Sequence, residues 1–268
     1  QQFIRDYGQN HAKSTVSKMN SLYHAAVKDG LYDGFIKKDF VRGVSLVYDR
    51  ERTWKIEYLN VDETTRLIKY LYDNRNPHHL SKYMIITALL TGMRPGEIGG
   101  LKWGDINFNF KTFNLRQSWV EEKNDFGPLK NESSYRIIRV DDFLLDLLKE
   151  LPRDDERGRV FVNQSYGTVP SSSGVNKVLR YAFKELGISR SGFHFHSCRH
   201  THVAYLLSKG IDLYAISKRL GHSDITVTSR TYSCLIDEYK TRTDDLIVDA
   251  ISDLITPEKD AATGTHGN

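Results

Sequence analysis

The sequence predicts a mainly α-helical fold with a small antiparallel β-sheet, an α+β arrangement. Apolar residues recur at helical spacing along most of the chain. The runs FNFKTFNLRQSWV and YRIIRV, within residues 106–140, instead alternate and are rich in β-forming side chains. Helical spacing resumes from Asp142. The order of these patterns therefore indicates one small sheet between two helical stretches.

Length and composition restrict the class of protein without naming it. The 268 residues are enough for one large or two modest domains, and the net charge of +4 fits either a nucleic-acid partner or an ordinary basic enzyme. Cys198 and Cys234 cannot form a disulfide framework and fit a reducing compartment. Neither a signal peptide nor a run of about 20 apolar residues is visible. We therefore expect a cytoplasmic protein without a membrane partner.

Residues 1–47 are expected to form a small helical domain. Val16, Leu22 and Val27 belong to an apolar stripe at helical spacing, and Gly30 lies where that helix should stop. The lysines around the stripe fit a solvated face as well as a DNA-facing one. The charge pattern alone does not separate the two interpretations.

A second domain is predicted after a linker at residues 48–58, which have mixed charge and no helical period. Asn60 followed by Glu63 resembles a capping box, which marks the start of a helix. A later apolar helix should end at Gly92, and Pro95 suits the first turn of the next one. Turn residues between the predicted strands are Asn124, Asp125, Gly127 and Pro128. The helices predicted after the sheet are 142–151, 173–186, 197–209, 212–220 and 244–255.

The segment TGMRPGE presents Arg94 beside the start of a helix. The start of a helix attracts phosphate, and an arginine binds phosphate through two parallel hydrogen bonds. Alone, however, this segment fits an ordinary capped helix pair with a surface arginine.

The histidine-rich segment HFHSCRHTH suggests metal binding at first sight. His196 and His200 are four residues apart, as in zinc proteases, but Ser197 stands where the HExxH motif has glutamate, and no acidic ligand lies nearby. No metal is therefore expected. His196 and Arg199 are three residues apart and should share a helix face, which pairs a proton-handling group with a fixed cation. Such a pair suits phosphoryl-transfer chemistry.

Tyr232 lies ten residues beyond His222, in the segment LGHSDITVTSRTY. It is one of 15 tyrosines, and a packed aromatic ring is the ordinary role of such a residue. Only its place after the other segments makes it a candidate.

Taken in order, these segments resemble the tyrosine recombinase, or phage integrase, family. TGMRPGE resembles the first arginine box of that family, HSCRHTHVAYLLSKG its His-x-x-Arg box, and LGHSDITVTSRTY its closing histidine box with the nucleophilic tyrosine. GPLKNESSYRIIRV resembles the β-hairpin segment with the catalytic lysine, which places that lysine at Lys130, six residues before Arg136. The resemblance covers roughly residues 59–240.

The resemblance implies a tyrosine recombinase catalytic domain at residues 59–243, preceded by part of a helical core-binding domain at residues 1–47. The earlier helices of that domain and any arm-binding domain are expected to be missing from this sequence. Residues 244–256 are expected to form a C-terminal helix that docks on a neighbouring protomer, and residues 257–268 a disordered tail.

The same resemblance implies the chemistry. The implied catalytic residues are Arg94, Lys130, His196, Arg199, His222 and the nucleophile Tyr232. They would cut and rejoin DNA strands through a 3′-phosphotyrosine intermediate, without a cofactor, for the integration and excision of a phage or conjugative element. The implied partners are double-stranded DNA with inverted-repeat core sites, a homotetramer in the synaptic complex, and accessory DNA-bending or directionality factors.

Gly99 and Gly100 depart from the family, which often has Leu or Ala shortly after the glutamate of the first box. Each glycine should loosen its helix by up to ~1 kcal/mol. Ser197 and Cys198 also replace the more usual Asp-Leu pair. Neither departure removes a catalytic group.

Three other functions remain open at this point. They are a type IB topoisomerase-like nicking-closing enzyme, a DNA-binding protein with an inactive site, and a zinc hydrolase built on the histidine cluster.

Overall fold

The computed structural model describes residues 1–52, 56–163, 165–233, 248 and 251. It divides into two compact units, Gln1–Ile56 and a second one that begins at Glu57. Helices predominate, and the described strands all lie in the second unit and pair antiparallel. This confirms the predicted mainly α fold with a small antiparallel sheet.

None of the helices within the described ranges combines the length and the apolar character that crossing a membrane requires.

The first unit contains α1 (Gln2–Gly8) and α2 (Lys13–Tyr32). Val16 and Val27 are buried, as the apolar stripe predicts, whereas Leu22 is 58% exposed. The prediction that Gly30 stops the helix is wrong, because α2 continues to Tyr32 and Asp33 closes it. A glycine weakens a helix by only about 1 kcal/mol, so a glycine alone does not end one.

The second unit contains seven named helices and a further helical segment at residues 225–233. The named helices are α3 (Val61–Asp73), α4 (Ser81–Thr91), α5 (Pro95–Gly99), α6 (Asp142–Lys149), α7 (Ser172–Leu186), α8 (Ser197–Ser208) and α9 (Leu213–Leu220). The predicted capping box is present, since the Glu63 backbone N–H donates to Asn60 Oδ1 (2.8 Å) and the Asn60 N–H to Glu63 Oε2 (3.0 Å). The four predicted helices between residues 142 and 220 are confirmed to within two residues at their ends. The predicted helix 244–255 and the tail 257–268 lie outside the described residues, apart from Val248 and Ile251, which are helical.

The strands form two small sheets within residues 106–139. They are β1 (Ile106–Asn107), β2 (Thr112–Leu115), β3 (Ser118–Val120), β4 (Asp125–Gly127) and β5 (Arg136–Arg139), in the orders β1-β2-β5 and β3-β4. The assignment of Asp125 and Gly127 to a turn is wrong, because both belong to β4. The predicted turn is present at Asn124, which adopts a left-handed conformation (φ 47°) directly before β4. Trp119 and Phe126 face each other across β3 and β4 with ring centroids 5.4 Å apart, a contact that stabilises the hairpin.

Helix α4 lies at the centre of the second unit. All but three of its residues are buried, and it packs against α3, α6, α7 and α8. It ends at Gly92, which adopts a left-handed conformation (φ 68°), as the sequence predicts. The burial of α4 fixes this turn, and with it the start of the segment that presents Arg94.

Gly99 and Gly100 have a packing role in the structure. A Cβ atom on Gly100 would lie 2.9 Å from the backbone nitrogen of Trp119, and one on Gly99 would lie 3.0 Å from the Trp119 Cβ. The two glycines thus allow the end of α5 to lie directly against β3. This packing compensates for their low helix propensity.

Candidate active site

Five of the six predicted catalytic residues lie close to one another. They are Arg94, His196, Arg199, His222 and Tyr232, and they come from the turn after α4, from α8, from the turn after α9 and from the helical segment 225–233. Hydrogen bonds, ring contacts and electrostatic effects connect them.

Arg199 is only 2% exposed and lies in the first turn of α8. Its Nη1 donates to the Gly92 carbonyl (2.7 Å), and its Nη2 to the Leu220 carbonyl (2.8 Å). These carbonyls lie at the C-terminal ends of α4 and α9, where the helix dipole favours a cation. Burial, and then Arg94, lower the pKa of Arg199 to about 9, so the side chain stays protonated at neutral pH.

Arg94 is the N-cap residue of α5 and is held by Glu97. The Arg94 backbone N–H donates to Glu97 Oε2 (2.9 Å), and its Nη1 to Glu97 Oε1 (2.8 Å). Glu97 is 3% exposed and also accepts from Nη1 and Nη2 of Arg136 (3.1 and 3.0 Å). Burial alone would raise the pKa of Glu97, but Arg136 and then Arg94 lower it overall. One buried carboxylate therefore caps the helix and orients two guanidinium groups.

Arg136 joins β5 to the end of α9. Its Nε donates to the Arg219 carbonyl (2.6 Å), next to the turn at Gly221. Gly221 has φ 67°, and a Cβ atom there would lie 2.8 Å from Arg136 Nη1 and 2.9 Å from the Ser133 carbonyl oxygen. Only glycine combines this conformation with this close approach. The turn that presents His222 is thereby fixed against β5.

His222 lies between Arg199 and Thr228. Its Nε2 is 3.0 Å from Arg199 Nη2, and its Nδ1 is 2.7 Å from Thr228 Oγ1. A guanidinium can only donate, so Nε2 accepts, and Nδ1 carries the proton and donates to the threonine. Burial, and then Arg199, lower the pKa of His222 to about 4. His222 is therefore neutral at pH 7, with a defined tautomer.

Tyr232 is 2% exposed, and its hydroxyl lies 2.7 Å from Nδ1 of His200. Burial raises the pKa of Tyr232, and Arg199 acts in the opposite direction. His196, the residue expected to assist the tyrosine, is the N-cap of α8, and its ring centroid lies 5.2 Å from that of His200. No hydrogen bond joins His196 to Tyr232 in the described part of the chain. The residue in contact with the hydroxyl is thus His200.

Both histidines of this pair are neutral at pH 7. Burial, and then Arg199, lower the pKa of His196 to about 4. Burial, and then His196 and Arg199, lower the pKa of His200 to about 3. Neither ring can add to the positive charge of the two arginines in the absence of an anion.

Lys130 does not join the five residues. Its side chain is exposed in the loop between β4 and β5 and has no hydrogen bond to any described residue. The loop itself is tied to the site, because Ser133 Oγ donates to Asn131 Oδ1 (3.0 Å) and approaches the Gly221 carbonyl (3.3 Å). Lys130 therefore lies one residue before a segment that is anchored at the site.

The contacts of His200, Thr228 and Arg136 at this site were not predicted from the sequence. His200 was weighed only as a zinc ligand, although its spacing of four from His196 places both rings on one side of α8. Arg136 served only to locate Lys130. Thr228 gave no signal in the sequence, because its contact depends on how the helical segment 225–233 packs under His222. Within the described ranges, no group of three His, Cys, Asp or Glu side chains is placed to hold a metal ion.

The fold and the site define a class of protein, and comparison with known proteins agrees. The Phage integrase family matches residues 57–238, more than half of the chain. The protein therefore belongs to the phage integrase family and is a tyrosine-type site-specific recombinase.

Individual relatives are distant. The chain is 26% identical to a "Tyrosine recombinase XerC-like" protein of Caldanaerobacter subterraneus subsp. tengcongensis, over 92% of this chain and 68% of the relative. It is 24% identical to the "Integrase" of Staphylococcus phage L54a, over 85% of this chain and 71% of the relative. Among solved structures, the Tn1549 transposon integrase in complex with a circular intermediate DNA has a TM-score of 0.69 at 19% identity, covering 82% of this chain and 75% of that one. This structural likeness supports the fold.

Proposed function

We propose that the protein cuts and rejoins DNA strands through a 3′-phosphotyrosine intermediate. The Tyr232 oxygen attacks the phosphorus of a phosphodiester, and the bond to the 5′-oxygen breaks. A 5′-hydroxyl of a partner strand later attacks the phosphotyrosine, which forms a new phosphodiester and releases Tyr232. Because one ester replaces another, no external energy source is needed. The observation that carries the proposal is the convergence of two arginines, two histidines and a buried tyrosine from four separate segments.

Each residue has a role that follows from its chemistry. Arg94 and Arg199 stabilise the negative charge that gathers on the non-bridging oxygens in the transition state. His222 positions the phosphate. His196 assists the departure of the tyrosine proton indirectly, because its ring contacts His200 and not the Tyr232 hydroxyl. Lys130 donates a proton to the leaving 5′-oxygen, and its exposed position in a loop leaves it free to reach DNA.

The proposed partners are double-stranded DNA with inverted-repeat core sites, further copies of the chain in a synaptic tetramer, and accessory factors that bend DNA or set the direction. The proposed task is integration and excision of a mobile element in the cytoplasm of a bacterium. The integrase of a staphylococcal phage among the relatives supports this task.

The test of the chemistry is covalent trapping. A labelled pool of nicked duplexes with random sequence is incubated with the protein in EDTA, and denaturing gels reveal any protein–DNA band. Tyr232→Phe should abolish the band, because it removes the attacking oxygen. Tyr214→Phe, an exposed tyrosine on α9, is the matched control and should keep the band. A band that persists in Tyr232→Phe contradicts the proposed mechanism, and sequencing of the trapped DNA identifies the target site.

We also propose that residues 244–256 dock on a neighbouring protomer. An apolar cleft of about 520 Å³ opens between α3, α8 and α9. It is lined by Ile68, Leu89, Leu90, Leu206, Ile211 and Ile216 among others. The C-terminal segment carries a matching apolar stripe of Leu246, Ile247, Ala250, Ile251, Leu254 and Ile255. Burial of that stripe in the cleft of the next protomer would link the subunits.

Deletion of residues 244–268 should then weaken assembly on DNA without preventing binding to a single site. Native gels with duplexes that contain one or two copies of the trapped site measure the two properties separately. Unchanged synapsis by the truncated protein refutes docking between protomers.

A further inference from the structure

The contact between His200 and Tyr232 has no counterpart in the roles proposed so far. The Tyr232 oxygen lies 2.7 Å from His200 Nδ1, and the two rings meet edge to face with centroids 5.6 Å apart. Both side chains are almost fully buried, at 2% exposure for Tyr232 and 6% for His200. A hydrogen bond in such a place holds its groups firmly, because no water competes for either of them.

We propose that His200 is a positioning residue for the recombination reaction: its Nδ1 accepts the hydrogen bond of the Tyr232 hydroxyl and sets the direction of the attacking oxygen. The inference rests on the proposed function, in which Tyr232 is the nucleophile. It assigns to His200 the contact that the sequence suggested for His196.

The direction of the hydrogen bond follows from the protonation of both groups. Burial raises the pKa of Tyr232, so the phenol keeps its proton at neutral pH. The pKa of His200 is lowered by burial and by His196 and Arg199, so its ring is neutral. A phenol is a strong donor, and the unprotonated nitrogen of a neutral imidazole is a strong acceptor. In this arrangement the second nitrogen, Nε2, carries the ring proton.

The contact between His200 and Tyr232 is important because of the position of His200 on α8. His200 follows directly after Arg199, which binds the carbonyls of Gly92 and Leu220. The residue that orients the nucleophile and the residue that stabilises the phosphate thus share one turn of one helix. Any shift of α8 would move both together, which keeps the attacking oxygen in register with the arginine.

Three substitutions separate this role from simple packing. In asparagine, Oδ1 is bonded to Cγ, as Nδ1 is in histidine, so His200→Asn keeps an acceptor at the position that faces Tyr232. In His200→Gln, the acceptor lies one bond further out, near the position of Nε2. His200→Leu keeps the bulk and removes every acceptor.

The experiment measures the rate of covalent-complex formation on the trapped duplex. We expect His200→Asn to stay within about threefold of the wild type, and His200→Gln and His200→Leu to fall by roughly 10- to 100-fold, the usual effect of a misplaced reacting group. Equal activity of the leucine variant and the wild type overturns the proposal, as does an asparagine variant as slow as the leucine one. Thermal unfolding of each variant identifies any that fails to fold, and the Asn/Gln pair still decides if leucine is not tolerated.

A second experiment identifies the reaction step on which His200 acts. A duplex with a 5′-bridging sulfur has a leaving group that departs without a proton, so it should restore activity to Lys130→Ala. It should not restore activity to His200→Gln, because His200 acts on the attacking oxygen. Rescue of the His200 variant by sulfur overturns the proposal.

A third experiment tests the contact without measuring activity. Nitrogen-15 NMR of the imidazoles should show His200 as the Nε2–H tautomer, with an Nδ1 resonance that moves in Tyr232→Phe. A protonated Nδ1 contradicts the inference. If the wild type forms no covalent complex, the proposed function fails, while this measurement still tests the contact between His200 and Tyr232.

Discussion

At the scale of single residues, the site depends on side chains that take no direct part in the proposed reaction. Thr228 is fully buried, and its hydroxyl is the partner of His222 Nδ1. A hydroxyl can donate or accept. It can therefore support His222 both as it is now, with Nε2 accepting from Arg199, and with Nε2 donating to a bound phosphate.

Thr228→Val removes this partner at nearly constant volume. We expect the rate of covalent-complex formation to fall by about fivefold, the equivalent of one hydrogen bond of roughly 1 kcal/mol. Thr228→Ser keeps the hydroxyl and should retain most of the activity. Single-turnover kinetics at saturating DNA measure the effect, and equal rates for the valine and serine variants would show that the hydroxyl is not needed.

The sequence allowed the prediction of residues whose type the proposed reaction requires. Arg94, Arg199, His222 and Tyr232 stand at characteristic spacings within recognisable segments. His200 and Thr228 could not be predicted in the same way, because a helical residue contacts whatever its fold brings to that face. Their partners lie 32 and six residues away in the sequence, respectively.

At the scale of secondary structure, local signals predicted the helix ends where a special backbone conformation is required. Gly92, the predicted end of a helix, closes α4 in the left-handed conformation, and Gly221, directly after the predicted helix 212–220, closes α9 in the same way. Gly30 gave the same signal in the sequence but lies inside α2, because no left-handed turn is formed there. The strand β4 was missed because Asp125 and Gly127 are typical turn residues, and the pairing of Phe126 with Trp119 outweighs that preference.

The contact between α5 and β3 provides a test at this scale. Gly100→Ala would place a methyl group 2.9 Å from backbone atoms of Ser118 and Trp119, so the free energy of unfolding should fall by about 1–3 kcal/mol, as in other overpacked cores. Gly104→Ala is the matched control, because nothing lies within 4 Å of the added Cβ atom. Urea unfolding at pH 7.5 measures both. Equal stability of the two variants would contradict the packing role of Gly100.

At the scale of the whole molecule, the second unit buries several neutral imidazoles. His202 links α8 to α4 and α9, since its ring Nδ1 lies 2.9 Å from the Leu89 carbonyl oxygen and Arg219 Nε donates to its Nε2 (3.0 Å). Burial, and then Arg219, lower the pKa of His202 to about 3. His200 has a similarly low pKa, for which burial is again the main cause.

These pKa values predict loss of stability in mild acid. A histidine in the unfolded chain has a pKa near ~6.5, so the unfolded state binds more protons than the folded state between about pH 6.5 and pH 3. The free energy of unfolding must then fall as the pH falls through this window. We expect a loss of about 2 kcal/mol for each of the two residues between pH 7 and pH 5. Urea unfolding at several pH values tests this, and a stability that stays constant over that range would show that the rings become protonated without unfolding.

The way in which Arg199 is held has a consequence for genetics. Its guanidinium binds carbonyl oxygens at the ends of two helices, and the geometry of each end depends on a left-handed glycine. A substitution at Gly92 or Gly221 would displace the Arg199 guanidinium, and its effect should be similar to that of replacing Arg199 itself. A saturation screen for inactive alleles should therefore yield these glycines at frequencies close to those of the charged residues. A map of such alleles would trace the scaffold that orients the charges, and both glycines of that scaffold are buried.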